Sequence, residues 1–195
     1  MKRLCIAWLF TVLFVIAVLT SCSIPLTAKN AGYFTEFEYT HYTTGGITEN
    51  YTAVILFEQS VSTFTAYQVA FISCTCRDPV DNYYSVAYVE ILNTRPTADE
   101  AAIRSITFRD NKGLWGDSNP NYNMPEYTEE YLELNFVQPL VRVTKAEIDN
   151  WGGYGTWLEC INPDAVTGAT VSTSNITSML QSLFAYHTAK YYNKK

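Results

Sequence analysis

Residues 83–92, YYSVAYVEIL, form the clearest strand signal in the middle of the chain. Aromatic and β-branched side chains crowd into a short run, and such side chains pack well on a pleated surface. Working upstream, Val61 to Cys76 is rich in Val, Thr, Phe and Ile and is expected to hold a strand or two. Tyr51 to Phe57 (YTAVILF) reads as a buried strand, and Gly45-Gly46 as a turn. In Tyr33 to Tyr42 (YFTEFEYTHY) apolar and polar residues nearly alternate, the pattern of a half-exposed strand.

Downstream, Pro96 is expected to open a short helical stretch, Thr97 to Arg104, with Asp99 and Glu100 where the helix dipole favours acids. Ile103 to Phe108 reads as the following strand. Lys112 to Pro125 holds Gly113, Gly116, Pro120 and Pro125 and reads as a loop, while Tyr127 to Val143 is open between helix and strand. Thr144 and Glu147 fit a capping box that starts a short helix through Asn150, broken by Gly152-Gly153 and Gly155. No internal repeat and no second composition regime is visible. The expectation is one α+β domain over residues 32–195, a largely antiparallel sheet with a few helices, including an amphipathic C-terminal one.

Composition agrees with a folded body. The 195 residues are 48% hydrophobic and 16% charged, which excludes an intrinsically disordered chain. A net charge of -6, without runs of basic residues, argues against a nucleic-acid partner. Five cysteines and two histidines are too few for a disulfide scaffold or a multi-metal protein.

The first residues read as an address. Met1-Lys2-Arg3 is a positive n-region, and Leu4 to Leu19 is apolar apart from Thr11. The run is shorter than the roughly 20 residues of a spanning helix, which favours a cleaved signal over an uncleaved anchor. Leu19-Thr-Ser-Cys22 resembles the bacterial lipoprotein signal, and that resemblance makes Cys22 the lipidated N-terminus of the mature chain after loss of residues 1–21. Removal of Lys2 and Arg3 leaves 11 basic residues against 19 acidic. Residues 22–31 then form a short tether, small, polar and interrupted by Pro25. The expected location is the cell envelope, outside the cytoplasm and lipid-anchored to a membrane. Chemistry there runs without the cell's pool of diffusing cofactors.

The C-terminal segment differs in kind. Asp164-Ala-Val-Thr-Gly-Ala-Thr-Val-Ser172 leads into a run in which Ile176, Met179, Leu180, Leu183, Phe184 and His187 share one helical face. Ser172, Thr173 and Ser174 are the N-cap candidates. Pro163 and Gly168 are expected to keep the preceding stretch out of the helix, as a loop aimed at a helix N-terminus, where free amides and the dipole favour an anion such as phosphate.

The string DAVTGATVS resembles the flavinylation motif of the FMN-binding domain family. That domain is shared by the C-subunit of Na⁺-pumping quinone reductases and the G-subunit of Rnf complexes, and it occurs in small surface lipoproteins of extracytoplasmic electron transfer. The family's Asp falls on Asp164, its Ser/Thr on Thr167, its Gly on Gly168, its Ala on Ala169 and its acceptor on Thr170. The resemblance implies covalent FMN, esterified through its phosphate to Thr170 by a separate flavin transferase that uses FAD and Mg²⁺. One departure is Ala165, where many members carry Gly. The likeness is sharp over roughly the last quarter of the chain, and little upstream of residue 145 shares it.

Each residue also has a bland reading. Gly168 would allow positive φ and close approach of a phosphate, and Ala169 keeps the neighbouring side chain small. Asp164 either orients the acceptor hydroxyl and holds Mg²⁺ or caps the turn through backbone amides. Thr167 and Ser172 either donate to the phosphate or cap. The alternative for the whole string is a helix-capping turn without a ligand.

After loss of Cys5 and lipidation of Cys22, Cys74, Cys76 and Cys160 remain. In a strand Cys74 and Cys76 share a face, so one of them can pair with Cys160; structural cysteines are favoured over redox partners of a flavin. The aromatic loop Trp151-Gly-Gly-Tyr-Gly-Thr-Trp157 either stacks on a flavin ring or fills the core, and Trp115 and Tyr122 carry the same alternatives. His187 is expected to be a packed core residue, and His41 has no visible partner. Asn50-Tyr-Thr52 and Asn175-Ile-Thr177 match glycosylation acceptors, which mean little in a bacterial lipoprotein.

The functional expectation is a membrane-tethered flavoprotein passing electrons between a membrane donor and an external or periplasmic acceptor. It would be a carrier rather than a dedicated catalyst. Its partners would be the flavin transferase, a membrane redox donor and other electron carriers. The rival expectation is a surface lipoprotein that binds a ligand or partner without flavin, with residues 31–144 carrying the function.

Overall fold

A computed structural model describes residues 34–75, 84–108 and 128–193. Five strands follow one another in a meander: β1 (Thr35–Tyr42), β2 (Thr48–Ser60), β3 (Phe64–Phe71), β4 (Ser85–Leu92) and β5 (Ile103–Thr107). They pair antiparallel in the order β1-β2-β3-β4-β5. The α+β, largely antiparallel architecture is therefore as the sequence predicts, with a long C-terminal helix against the sheet.

Alternation along the strands sets which face is buried. Ile55 lies opposite Val69, which lies opposite Ala87, and Tyr67 lies opposite Val89, which lies opposite Ile106. All six are buried, together with Tyr39 and Ala53. Their neighbours turn to the other face, where Tyr88 pairs across from Gln68 and donor and acceptor meet at 3.0 Å.

One strand expectation needs correction. Tyr51–Phe57 is not a buried strand: it is part of the 13-residue β2, with Ala53 and Ile55 buried and Phe57 half exposed. A break in register between Ile55 and Phe57 also shifts the side-chain alternation. As expected, Val61–Cys76 holds a strand: among its described residues, through Thr75, that is β3, and Cys74 lies beyond its end. The clear strand signal at 83–92 becomes β4, whose buried positions alternate through Ser85, Ala87, Val89 and Ile91.

Thr97–Arg104 is not a helix: Thr97–Glu100 forms a turn, and Ile103 and Arg104 already belong to β5. Thr97 donates from its backbone and its hydroxyl to the Glu100 carboxylate, as a helix start would. Ala101 and Ala102 are then drawn into the sheet: Leu92 N–H donates to Ala102 C=O, and Ala102 bridges to Thr144. Pairing with neighbouring chain wins over the local helical signal. Gly45 and Gly46 do form the β1–β2 turn, both with positive φ that a glycine adopts at low cost.

The ambiguous stretch 127–143 is helical from Glu129 to Leu140. α1 (Glu129–Leu132) runs on through a π-helical turn at Glu133–Val137 and a 3₁₀ turn at Gln138–Leu140, burying Leu132, Phe136, Val137 and Leu140. The capping box forms as expected and opens α2 (Lys145–Asp149), the Thr144 hydroxyl accepting from Glu147 N–H while the Glu147 carboxylate accepts from Thr144 N–H. The loop expected at 112–125, with Trp115 and Tyr122, lies outside the described residues, as do the N-terminal signal, Cys22 and Cys76.

Candidate functional site

The motif stretch is helical, contrary to the loop expectation. Asn162 caps a one-turn helix, α3 (Pro163–Val166), its side-chain oxygen accepting from Asp164 N–H at 3.2 Å. Pro163 sits at N1, where its missing N–H costs nothing. A 3₁₀ turn, Thr167–Ala169, joins α3 to α4 (Thr170–Tyr191). Gly168 is in that turn and is not among the positive-φ glycines, so its value there is the absence of a side chain.

Asp164 lies in α3, Thr167 opens the 3₁₀ turn and Thr170 opens α4, three residues apart along the chain. Asp164, Thr167 and Gly168 are exposed and Thr170 is half buried, whereas Ala165, Val166 and Ala169 face the core. The hydroxyls fold back on the chain: Thr167 donates to Pro163 C=O at 2.7 Å and Thr170 to Thr167 C=O at 2.5 Å. No side chain caps the α4 N-terminus.

The N-cap expectation for Ser172, Thr173 and Ser174 is overturned. All three are buried inside α4, which starts at Thr170. Thr173 donates back to Ala169 C=O at 3.1 Å and Thr177 to Thr173 C=O at 2.9 Å, so these hydroxyls are satisfied within the helix. The expected apolar face is buried as predicted, from Ile176 to His187. The helix is less amphipathic than expected, because every residue from Ser172 to Leu180 is buried.

Sequence reasoning missed Asn175, which is fully buried and therefore no glycosylation acceptor. Its signal was a carboxamide in the middle of an apolar helical face, where every polar atom needs a partner. It also read past the cluster at the far end of α4, where the Glu58 carboxylate accepts from Tyr186 at 2.8 Å, from Lys190 at 2.7 Å and from Tyr191. Burial pushes the Glu58 carboxyl up, but these donors together bring it below its ordinary range. His187 is fully buried, as expected, with Nδ1 at 2.8 Å from the Tyr67 hydroxyl. His41 is buried too, stacked on Tyr51 with centroids 4.2 Å apart, and neither ring nitrogen has a hydrogen-bond partner.

The cysteine pairing through Cys160 is not made: Cys74 is disulfide-bonded and Cys160 is a free thiol. Trp151 and Trp157 are half buried against the core, and Tyr154 covers Gly46 and meets Tyr42. Among the described residues no group of His, Cys, Asp and Glu is arranged to hold a metal, and no helix is long and apolar enough to cross a membrane.

A phosphate ester at Thr170 fits what stands there. The hydroxyl is half exposed, Gly168 carries no side chain, Ala169 only a methyl, and no capping side chain competes for the first amides of α4. The chain has no Lys or Arg between Lys145 and Lys190, so within this segment the helix end and the hydroxyls would hold the anion. Comparison with family models, with curated proteins and with solved structures finds no match to this chain. The likeness to the FMN-binding domain thus rests on the DAVTGATVS string.

Proposed function

We propose that this chain is a membrane-tethered, extracytoplasmic flavoprotein that carries FMN covalently on Thr170 and passes electrons between a membrane donor and an acceptor outside the cytoplasm. The observation that carries the reading is the position of Thr170: a half-exposed hydroxyl on the first residue of a 22-residue helix with no side-chain cap, behind Gly168 and Ala169. Bound FMN would supply the redox chemistry through its isoalloxazine. Thr170 would be the point of attachment. Gly168 leaves room for the transferase and the phosphate, and the Thr167 hydroxyl, three residues back, can turn from Pro163 C=O to the anion.

Asp164, two turns upstream in the chain, is exposed, suited to orient the acceptor hydroxyl or to bind Mg²⁺ during attachment. Ser172, buried beneath, supports the helix start rather than facing solvent. The Leu-Thr-Ser-Cys22 signal supports the lipid anchor, and a covalent tether suits a compartment in which a dissociated flavin would diffuse away. Flavin fluorescence in a denaturing gel, after co-expression with a flavin transferase, tests the proposal. A fluorescent band at the chain's mass is expected. A dark band from well-expressed chain, beside a labelled control substrate, would overturn it.

A further inference from the structure

β1 is the outer strand of the sheet, and its side chains alternate. Phe37, Tyr39 and His41 turn to the core side, Glu36, Glu38 and Thr40 to the other face. The backbone divides with the same period. Thr43 N–H donates to Ile47 C=O at 2.9 Å, so Thr43 points at β2, and Tyr42 next to it points away. The Tyr42 N–H and C=O accordingly go to the Asn175 side chain. By the same alternation Thr40, Glu38 and Glu36 turn their N–H and C=O to the outer edge. Among the described residues nothing is bonded to these groups. The opposite edge is closed: beside β5, Ile103 N–H donates to Val143 C=O at 2.9 Å, and Ile103 C=O accepts from Arg142 N–H at 2.7 Å.

A row of unpaired backbone donors and acceptors is a template for one more strand. The side chains set what that strand can be. Glu36 and Glu38 are exposed, and neither forms an ion pair among the described residues. A second copy is the wrong occupant. Two β1 edges paired antiparallel about Glu38 set Glu38 against Glu38, and like charges directly opposite repel. A strand with Lys or Arg at the facing alternate positions meets the two carboxylates instead. The residue between those two bases falls opposite Phe37, which is half buried against the core, and an apolar side chain suits it.

We propose that the edge of β1 from Glu36 to Thr40 is a docking site for an extended segment of another protein, with basic residues at alternate positions and an apolar residue between them. The segment would add to the sheet as a further strand. It requires no flavin on Thr170. The test titrates the isotope-labelled full chain with a short capped peptide alternating lysine and valine, followed by amide NMR. The Glu36, Glu38 and Thr40 N–H signals should shift to saturation and gain protection from hydrogen exchange. The same peptide with glutamate in place of lysine should bind at least about tenfold more weakly. Glu36→Lys with Glu38→Lys, both at exposed side chains, should reverse that order. Methylating the backbone nitrogens of the peptide's lysines, which face β1, should cost at least about tenfold. Methylating those of its valines, which face away, should cost much less. Equal affinity for the lysine and glutamate peptides, or equal loss from the two methylations, would overturn the proposal. So would absence of saturation with chain shown to be folded by circular dichroism, or a dimer that protects the same amides without peptide.

Discussion

Asn175 closes both polar ends of its carboxamide on the backbone of Tyr42: Oδ1 accepts the Tyr42 N–H at 2.6 Å, and Nδ2 donates to the Tyr42 C=O at 2.9 Å. The second amide hydrogen reaches Ser73 C=O at 2.8 Å. One side chain on α4 thus completes the end of β1 and fastens it to the segment after β3. The helix that begins at Thr170 is held in place five residues later by this clamp.

Replacing that carboxamide should be costly. Asn175→Ala removes the side-chain partner of the Tyr42 N–H and C=O and a donor to the Ser73 C=O, and about 2–4 kcal/mol of stability should be lost. Asn175→Asp should do no better, since it cannot donate to either carbonyl. Urea unfolding measures both. An Asn175→Ala variant within about 0.5 kcal/mol of the parent would show that water replaces the clamp.

Stability should fall with acid through the two histidines. Burial pushes both His41 and His187 down to about 4, against the opposing pull of Glu49 and Glu58. Above the ordinary histidine value of about 6.5 both states are neutral and the fold keeps its full stability. As pH falls from there to about 4, the unfolded chain takes up protons that the folded chain refuses, at a cost of up to about 3 kcal/mol per histidine. Unfolding midpoints at pH 7 and pH 4.5 should therefore differ more for the parent than for His41→Phe with His187→Phe. An equal drop in both would contradict this origin.

The capping box offers a smaller and local test. Thr144→Ala removes the acceptor of Glu147 N–H and one donor to the Glu147 carboxylate. A loss of about 1 kcal/mol is expected. Asp99→Ala, removing an exposed carboxylate 3.8 Å from Lys145, should change stability by less than about 0.5 kcal/mol. Equal losses from the two would mean that the box does not stabilise α2.

The strands were legible because one face of the sheet is buried, so a period of two in the residues becomes a period of two in burial, as in β4. Thr97–Glu100 misled because its local chemistry is that of a helix start, while the backbone of Leu92 and Thr144 claims the next residues for the sheet. Ser172–Ser174 misled for a related reason. Small hydroxyl residues favour caps when judged locally, but here they lie inside a helix that passes through the core, with the Thr173 and Thr177 hydroxyls turned back on helix carbonyls. Asp164 and Thr167, exposed, and Thr170, half buried, were legible from the string. Their place in helical turns was hidden, because Pro163 and Gly168 argue for a loop. Asn175 was hidden because its partners are backbone atoms more than 100 residues away.

The most direct measurement is mass spectrometry of the chain co-expressed with a flavin transferase, intact and then as peptides. Thr170 donates one exposed hydrogen bond, to Thr167 C=O, and Ala is a better helix former at the start of α4. Thr170→Ala should therefore fold within about 1 kcal/mol of the parent. The account predicts one FMN increment on the parent, mapped to the peptide containing Thr170, and none on folded Thr170→Ala, with reduced labelling in Thr167→Ala. Full labelling of folded Thr170→Ala, or FMN mapped to another residue, would contradict it.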